Sequence, residues 1–270
     1  MKFFKNLKWI YLGAILLGLS LGIIGLFVYQ FDFTKIHADA TQEKYYTEQT
    51  KTFTATDKIT IDVADLKVTV TATSEPEFCI TYYEHSKNTR VDNKNNWFES
   101  ESPVFRIRNF VRFSDILRSL SWGIPKHGRV NLSVPTGFTG QLEIIGRDSP
   151  INLNGIKGLE RIKIVNVDGG VSVTDCQAGV LDINCRGGNI TVNGTFTKVE
   201  TYCRDGHSTV TLKGFANNYL SIYAIELYHR DGHSRLMDAK QNQGVLRQGD
   251  GTHSVKMTVR DGRNNLYFVD

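Results

Sequence analysis

Two five-residue stretches repeat letter for letter, Arg204-Asp205-Gly206-His207-Ser208 and Arg230-Asp231-Gly232-His233-Ser234. Related turns stand at Arg147-Asp148-Ser149 and Arg260-Asp261-Gly262; Asp168 lacks the arginine, and Gly187 stands where the aspartate would be. Asp, His and Ser are the residue types of a hydrolase relay. Adjacent residues of a strand point to opposite faces, however, so His207 and Ser208 diverge, and no Gly-x-Ser-x-Gly elbow is present. A metal needs three or four ligands in open geometry; stacking implies only the pair His207 and His233, with Asp205 and Asp231 as candidate oxygen donors, so a polar surface ladder is the expected reading. Cys79, Cys176, Cys185 and Cys203 have no zinc spacing. No catalytic residue, metal or cofactor is therefore expected. Two readings of the turns remain. Asp-Gly suits positions where φ must become positive and the carboxylate bonds nearby backbone. Alternatively, Arg204, Asp205, Arg230 and Asp231 form a row of arginines and carboxylates that grips a polysaccharide. Paired carboxylates beside a sugar also hydrolyse it, so a carbohydrate-active β-helix enzyme acting on wall or surface polysaccharide stands as the alternative function.

These turns sit inside a repeat. Units begin at Leu142, Ile162, Leu181, Val199 and Ile225, which are 20, 19, 18 and 26 residues apart. Each reads as strand, Gly-containing turn, strand, and a period near 19 with alternating apolar residues signals a stacked β architecture. The spacing predicts an all-β fold, a β-solenoid of strand–turn–strand rungs following one N-terminal transmembrane helix; a plain antiparallel sandwich is the rival. Stacking places Leu142, Ile162, Leu181, Val199 and Ile225 in one ladder, and Leu153, Val173, Val192, Val210 and Leu236 in another. It also brings His207 beside His233 and Cys185 beside Cys203. Side chains in register run parallel, which strains a disulfide, so packed free thiols are expected. Upstream, Ile59, Ile61, Val63 and Leu66, Val68, Val70 alternate as two half-buried strands, and 77–83 continue as a third. All five prolines lie at or before Pro150, as a ladder that needs every later backbone N–H requires.

What precedes the repeats has a different character. Trp9 to Tyr29 carries no charged side chain, and 21 helical residues span about 30 Å, the thickness of a bilayer core. Lys2, Lys5 and Lys8 place residues 1–8 in the cytoplasm by the positive-inside rule. Residues 30–57 then read as a linker and 58–270 as an extracytoplasmic domain. A cleaved secretory signal is the rival, but the small-x-small site Ala38-Asp39-Ala40 lies too far downstream. Without the three leading lysines, 29 basic residues face 28 acidic ones, which excludes broad nucleic-acid binding.

The early Ile-Thr-Ile-Asp-Val and Val-Thr-Val strands, the Val130-Asn-Leu-Ser-Val-Pro135 segment and the serial strand–Asp/Gly–strand units carry a resemblance. Over roughly residues 58–270 the chain resembles the bacterial envelope domain of unknown function called "putative adhesin", similar in kind to the membrane-anchored proteins of Lia-type envelope-stress systems. The resemblance implies a β-solenoid ectodomain at the surface of the bacterial cell membrane and brings no catalytic residues. The chain departs from the pattern over an 85–128 insertion. Running to its end and one residue beyond, Pro103–Arg129 holds Arg106, Arg108, Arg112, Arg118, Lys126 and Arg129 against Asp115, a local balance of +5. Phe110, Phe113, Leu117 and Leu120 recur at helical spacing, with Trp122 beyond. One reading is a helix capping the open solenoid end. The other is a patch, Arg106, Arg108, Arg112, Arg118 and Trp122, for anionic lipid or cell-wall polymer. The expectation is a single-pass envelope protein that binds or scaffolds, with a membrane, a wall polymer or another envelope protein as partner, and with adhesion or stress response as its setting. A self-assembling structural module is the third class.

Overall fold

A computed structural model of the protein describes residues 15, 17–20, 46–55, 57–85, 89–91, 104–109, 128–241 and 244–270. The chain divides into two units, Met1–Tyr45 and Tyr46–Asp270. In the first, Ile15 and residues 17–20 are helical, and the rest of Trp9–Tyr29 lies outside the described residues. Among the described residues no helix is long and apolar enough to cross a membrane. The second unit is nearly all β, its strands joined in one curled sheet.

The strands are β1 (Tyr46–Phe53), β2 (Lys58–Ala64), β3 (Lys67–Thr73), β4 (Phe78–His85), β5 (Thr89–Val91), β6 (Val104–Asn109), β7 (Arg129–Pro135) and β8 (Gln141–Arg147). They continue as β9 (Ile151–Asn154), β10 (Leu159–Asp168), β11 (Val171–Gly187), β12 (Ile190–Lys213), β13 (Tyr223–Leu236), β14 (Ala239–Gln241), β15 (Val245–Gln248) and β16 (His253–Val269). The sheet therefore starts at Tyr46, inside the stretch that reads as linker, and β6 lies inside the stretch that reads as insertion.

Successive repeats pair in parallel and in register. Leu142 faces Ile162, Ile162 faces Leu181, and Leu181 faces Val199. Upstream, Ile59 faces Leu142, and Val68 faces Ile151, so β2 and β3 form the tier before the first repeat. Every one of these side chains is buried, and together they form the spine of the core.

The C-terminal order differs from the expected one. Val199 pairs with Val255, and Val255 with Ile225, so β16 lies between β12 and β13. Likewise Val210 faces Leu266, which faces Leu236. The 26-residue interval before Ile225 is where the simple stacking order ends. After β13 the chain turns into β14 and β15, which pair antiparallel with the outer edge of β13, and β16 then returns to the slot left beside β12. An open parallel edge is a template for unwanted pairing, and the short antiparallel strands cover it. The other end is finished the same way: β5 pairs antiparallel with β6, β4 with β7, and β1 with β4.

Each tier bends at one corner between its two strands, and the corner explains the recurrent Asp and Gly. The corner residues have positive φ throughout: Asp65 at 59°, Asp148 at 51°, Gly169 at 113°, Gly188 at 105°, and Gly206, Gly262 and Gly232 at 148°, 147° and 148°. Aspartate tolerates the left-handed region near 50–60°, whereas the wider angles of the later tiers admit glycine alone.

Outside the core, the two strand columns carry different chemistry. Before the corner, the file Glu143–Lys163–Asp182–Glu200–Lys256–Glu226 runs across the sheet. Its charges are paired, with Lys163 Nζ 2.8 Å from Glu143 and Arg161 Nη2 2.6 Å from Asp182. After the corner run two files without a charge, Thr50–Thr81–Asn131–Thr69–Asn152–Ser172–Thr191 and Thr52–Cys79–Ser133–Thr71–Asn154–Thr174–Asn193.

Candidate functional site

The Arg-Asp-Gly turns come together on the three C-terminal tiers. Asp205 faces Asp261, which faces Asp231, and Gly206, Gly262 and Gly232 follow in the same order. Arg204 and Asp205 thus lie in one row with Arg230 and Asp231, and Arg260 and Asp261 stand between them. Three carboxylates one strand spacing apart, about 4.8 Å, would repel one another. Arginines beside them offset this. Arg204 Nε lies 3.5 Å from Asp205, Arg230 Nε 2.9 Å from Asp231, and Arg260 Nε 3.6 Å from Asp261. Arg230 also reaches across to Asp261 at 3.8 Å. The hydrogen bond from Arg230 holds the Asp231 carboxyl below the usual carboxylate range and raises the guanidinium in turn. A general acid for glycoside cleavage needs the opposite displacement.

Two residues before each arginine, on the same face, lie Tyr202, Thr258 and Tyr228, in register in that order. Tyr202 is 41% exposed and Tyr228 37%. Two exposed aromatic rings thus flank a threonine, each beside an Arg–Asp pair. The spacing Tyr-x-Arg-Asp-Gly, present at both 202–206 and 228–232, is the sequence signal for this arrangement. Attention to the Arg-Asp-Gly turns alone passes it over.

The expected contact of His207 with His233 does not form. Arg263 of β16 stands between them, paired with each. The His207 backbone N–H donates to Asn189 Oδ1 at 3.1 Å. Burial, followed by Lys240 and Arg263, displaces His233 below its ordinary range. The buried histidine is instead His229, whose Nδ1 lies 3.0 Å from Ser234 Oγ. Among the described residues no group of three His, Cys, Asp or Glu side chains is placed to hold a metal ion.

Cys185 and Cys203 face each other on adjacent tiers, and all four cysteines are free thiols. Cys185 donates to the Gly187 carbonyl at 3.0 Å, and Cys203 to that of Gly188 at 3.3 Å. Burial, then Asp168, pushes the Cys185 thiol up to about 11. Burial, then Cys185 and Asp205, pushes Cys203 up to about 12. These are packing groups beneath the corner, not nucleophiles.

Of the cationic patch, Arg106 lies on β6, exposed and 3.6 Å from Asp62. Arg108 belongs to the same strand, while Arg112, Arg118 and Trp122 lie outside the described residues, as does the run from Phe110 to Leu120.

No family model matches the chain, and no curated protein matches it. Among solved structures it is similar to a "putative cell adhesion protein" from Clostridium sporogenes, at 12% identity over 83% of this chain and 99% of that one, with a TM-score of 0.43. It is similar as well to a "putative adhesin" from Bacteroides fragilis, at 10% identity over 83% and 97% of the two chains, with a TM-score of 0.39. A third is a "putative lipid binding protein" from Parabacteroides distasonis, at 12% identity over 82% and 96%, with a TM-score of 0.31.

Proposed function

We propose that the protein is a single-pass bacterial envelope protein whose β domain, a solenoid of stacked rungs outside the membrane, binds an extended wall or surface polymer. The observation that carries this reading is the recurrence of an Arg–Asp pair on three successive tiers, Arg204 and Asp205, Arg260 and Asp261, Arg230 and Asp231, with Tyr202 and Tyr228 beside the outer two and Thr258 beside the middle one. A site that repeats at strand spacing along an open face suits a ligand that itself repeats. Exposed tyrosines supply apolar area at low entropic cost, and the Arg–Asp pairs supply donors and acceptors with little net field. The anchor is supported by the uncharged run from Trp9 to Tyr29 and by Ile15, Leu17 and Leu19, each 58–63% exposed. The solenoid is supported by the parallel, in-register pairing from β2 through β12. Envelope stress or adhesion as the setting is the part of the proposal that rests on resemblance.

The test is cosedimentation of the detergent-solubilised full chain with purified wall polymer. Tyr202→Ala/Tyr228→Ala is expected to lower affinity about tenfold, roughly 1.4 kcal/mol, with little dependence on salt. Replacing Arg106, Arg108, Arg112 and Arg118 together by Gln is expected to remove only a salt-sensitive component on anionic polymer or vesicles, because ions screen exposed charge beyond about 8 Å. Arg204→Gln/Arg230→Gln should change that component much less, since the aspartate next to each arginine in its turn cancels most of its far field. Retention of the tyrosine variant equal to wild type contradicts the reading.

A further inference from the structure

The geometry points to a second binding surface, the uncharged face after the corner, and to an uncharged polysaccharide as its ligand. The two files from Thr50 to Thr191 and from Thr52 to Asn193 cross seven strands with two side chains on each. At about 4.8 Å per strand the face is about 29 Å wide. Apart from Cys79, every side chain on it is a hydroxyl or a carboxamide. All are exposed or half-exposed, while the residues between them, such as Val70, Leu153, Val173 and Val192, are buried.

Solvation alone does not account for this composition. The face before the corner is solvated as well, and on the three tiers that hold Asn152, Ser172 and Thr191 it carries Glu143, Lys163 and Asp182. Charge on an exposed sheet deters association with other chains. A face that omits it over seven strands has given up that protection.

The chemistry selects among occupants. The two files carry no charge of their own, and the nearest cations, Lys67 and Arg129, lie at the end of the strands, so an acidic polymer laid along the files would lose hydration without an ion pair on each tier. A membrane needs apolar side chains to insert, and these files present none. A second copy of the chain is a poor fit, because homodimer interfaces are about 65% apolar. Hydroxyls and carboxamides both donate and accept, which matches the hydroxyl and acetamido groups of a neutral glycan. Each such contact is weak, so many must form at once, as a regular ladder and a regular chain allow.

At its margin the face leads into a groove of about 450 Å³ lined by Asn154, Gln177 and Thr195 together with Lys157, Asp175 and Lys213. The ladder slips register between Thr174 and Cys176, and Asp175 takes a φ of 51°. This bulge turns Asp175 out to pair with Lys213 at 2.5 Å. Bulges re-aim side chains beside binding sites, and a groove of this size accommodates a sugar unit.

The experiment is cosedimentation of the full chain with insoluble chitin, an uncharged N-acetylated glucan, at low and high salt. Wild type is expected to bind equally at both. Asn152→Lys/Thr191→Lys, which sets two cations on the ladder, should reduce the bound fraction at least about tenfold. Thr69→Ala/Asn152→Ala/Thr191→Ala, which removes donors without adding charge or bulk, should reduce it about as far while the far-ultraviolet circular dichroism stays that of wild type. The triple alanine variant should keep wild-type cosedimentation with the wall polymer of the tyrosine–arginine site, so failure here and failure of that site are distinguishable. No binding by wild type, equal binding by the triple alanine variant, or a dimer that dissociates on Asn152→Lys/Thr191→Lys without chitin binding would each overturn the proposal.

Discussion

Val192→Asp is expected to unfold the β domain, whereas Thr191→Asp, one residue away, is expected to leave it standing. Val192 is 1% exposed, and its Cα faces that of Val173 on the preceding tier. Aspartate there would place a carboxylate among aliphatic side chains with no partner, at a cost of several kcal/mol even if it becomes protonated. Typical domains hold only about 5–15 kcal/mol in total. Thr191 points outward on the same strand and is exposed, so its replacement should shift stability by less than about 1 kcal/mol. Urea titration of the two full-length variants, followed by circular dichroism, reads the difference. Equal midpoints would mean that the strand is out of register by one residue, because such a slip exchanges the two faces.

Gly262→Ala should be nearly as damaging, for a reason that has nothing to do with burial of polarity. Gly262 has a φ of 147° and sits directly against Gly206 on one side and Gly232 on the other. A Cβ at Gly262 would run into the carbonyl oxygen of Gly206, and one at Gly232 into that of Gly262. Both neighbours are backbone, so relief requires prising two tiers apart. A loss of at least about 3 kcal/mol is expected, in the range reserved for strained or overpacked sites. Gly214→Ala is the control. It too has a positive φ, 89°, but a Cβ there meets nothing within 4 Å. Its cost should stay near the backbone penalty alone, about 1–2 kcal/mol. Thermal melts of the two variants side by side give the comparison; matching losses would show that backbone conformation, not tier contact, demands the glycine.

Much of this fold is legible in the residues themselves. The alternation of Leu142, Ile144 and their equivalents reports burial on one side. The recurrent Asp or Gly reports the positive φ of the corner. The equivalence of Cys185 and Cys203 within the period reports that they face each other on adjacent tiers. These features are local or belong to one period. What period alone cannot convey is the order of tiers once the period breaks. The intercalation of β16 between β12 and β13 goes with β14 and β15 each pairing antiparallel with the outer edge of β13, a contact between segments that share no pattern. That intercalation separates His207 from His233 and puts Arg260 and Asp261 at the centre of the candidate site. The uncharged face is hidden for a related reason. Thr50, Thr81 and Asn131 belong to strands scattered along the chain, and only the pairing of β1, β4 and β7 sets them beside Thr69 and Asn152.

Every binding reading given for this protein requires the β domain to meet the envelope from outside, and protease protection tests that requirement most directly. Protease added to intact, wall-stripped cells should digest the chain from residue 46 onward and leave a membrane-bound stub holding Lys2–Lys8 and the run from Trp9 to Tyr29. A full-length chain that stays protected until the cells are lysed would place the domain in the cytoplasm and contradict the account.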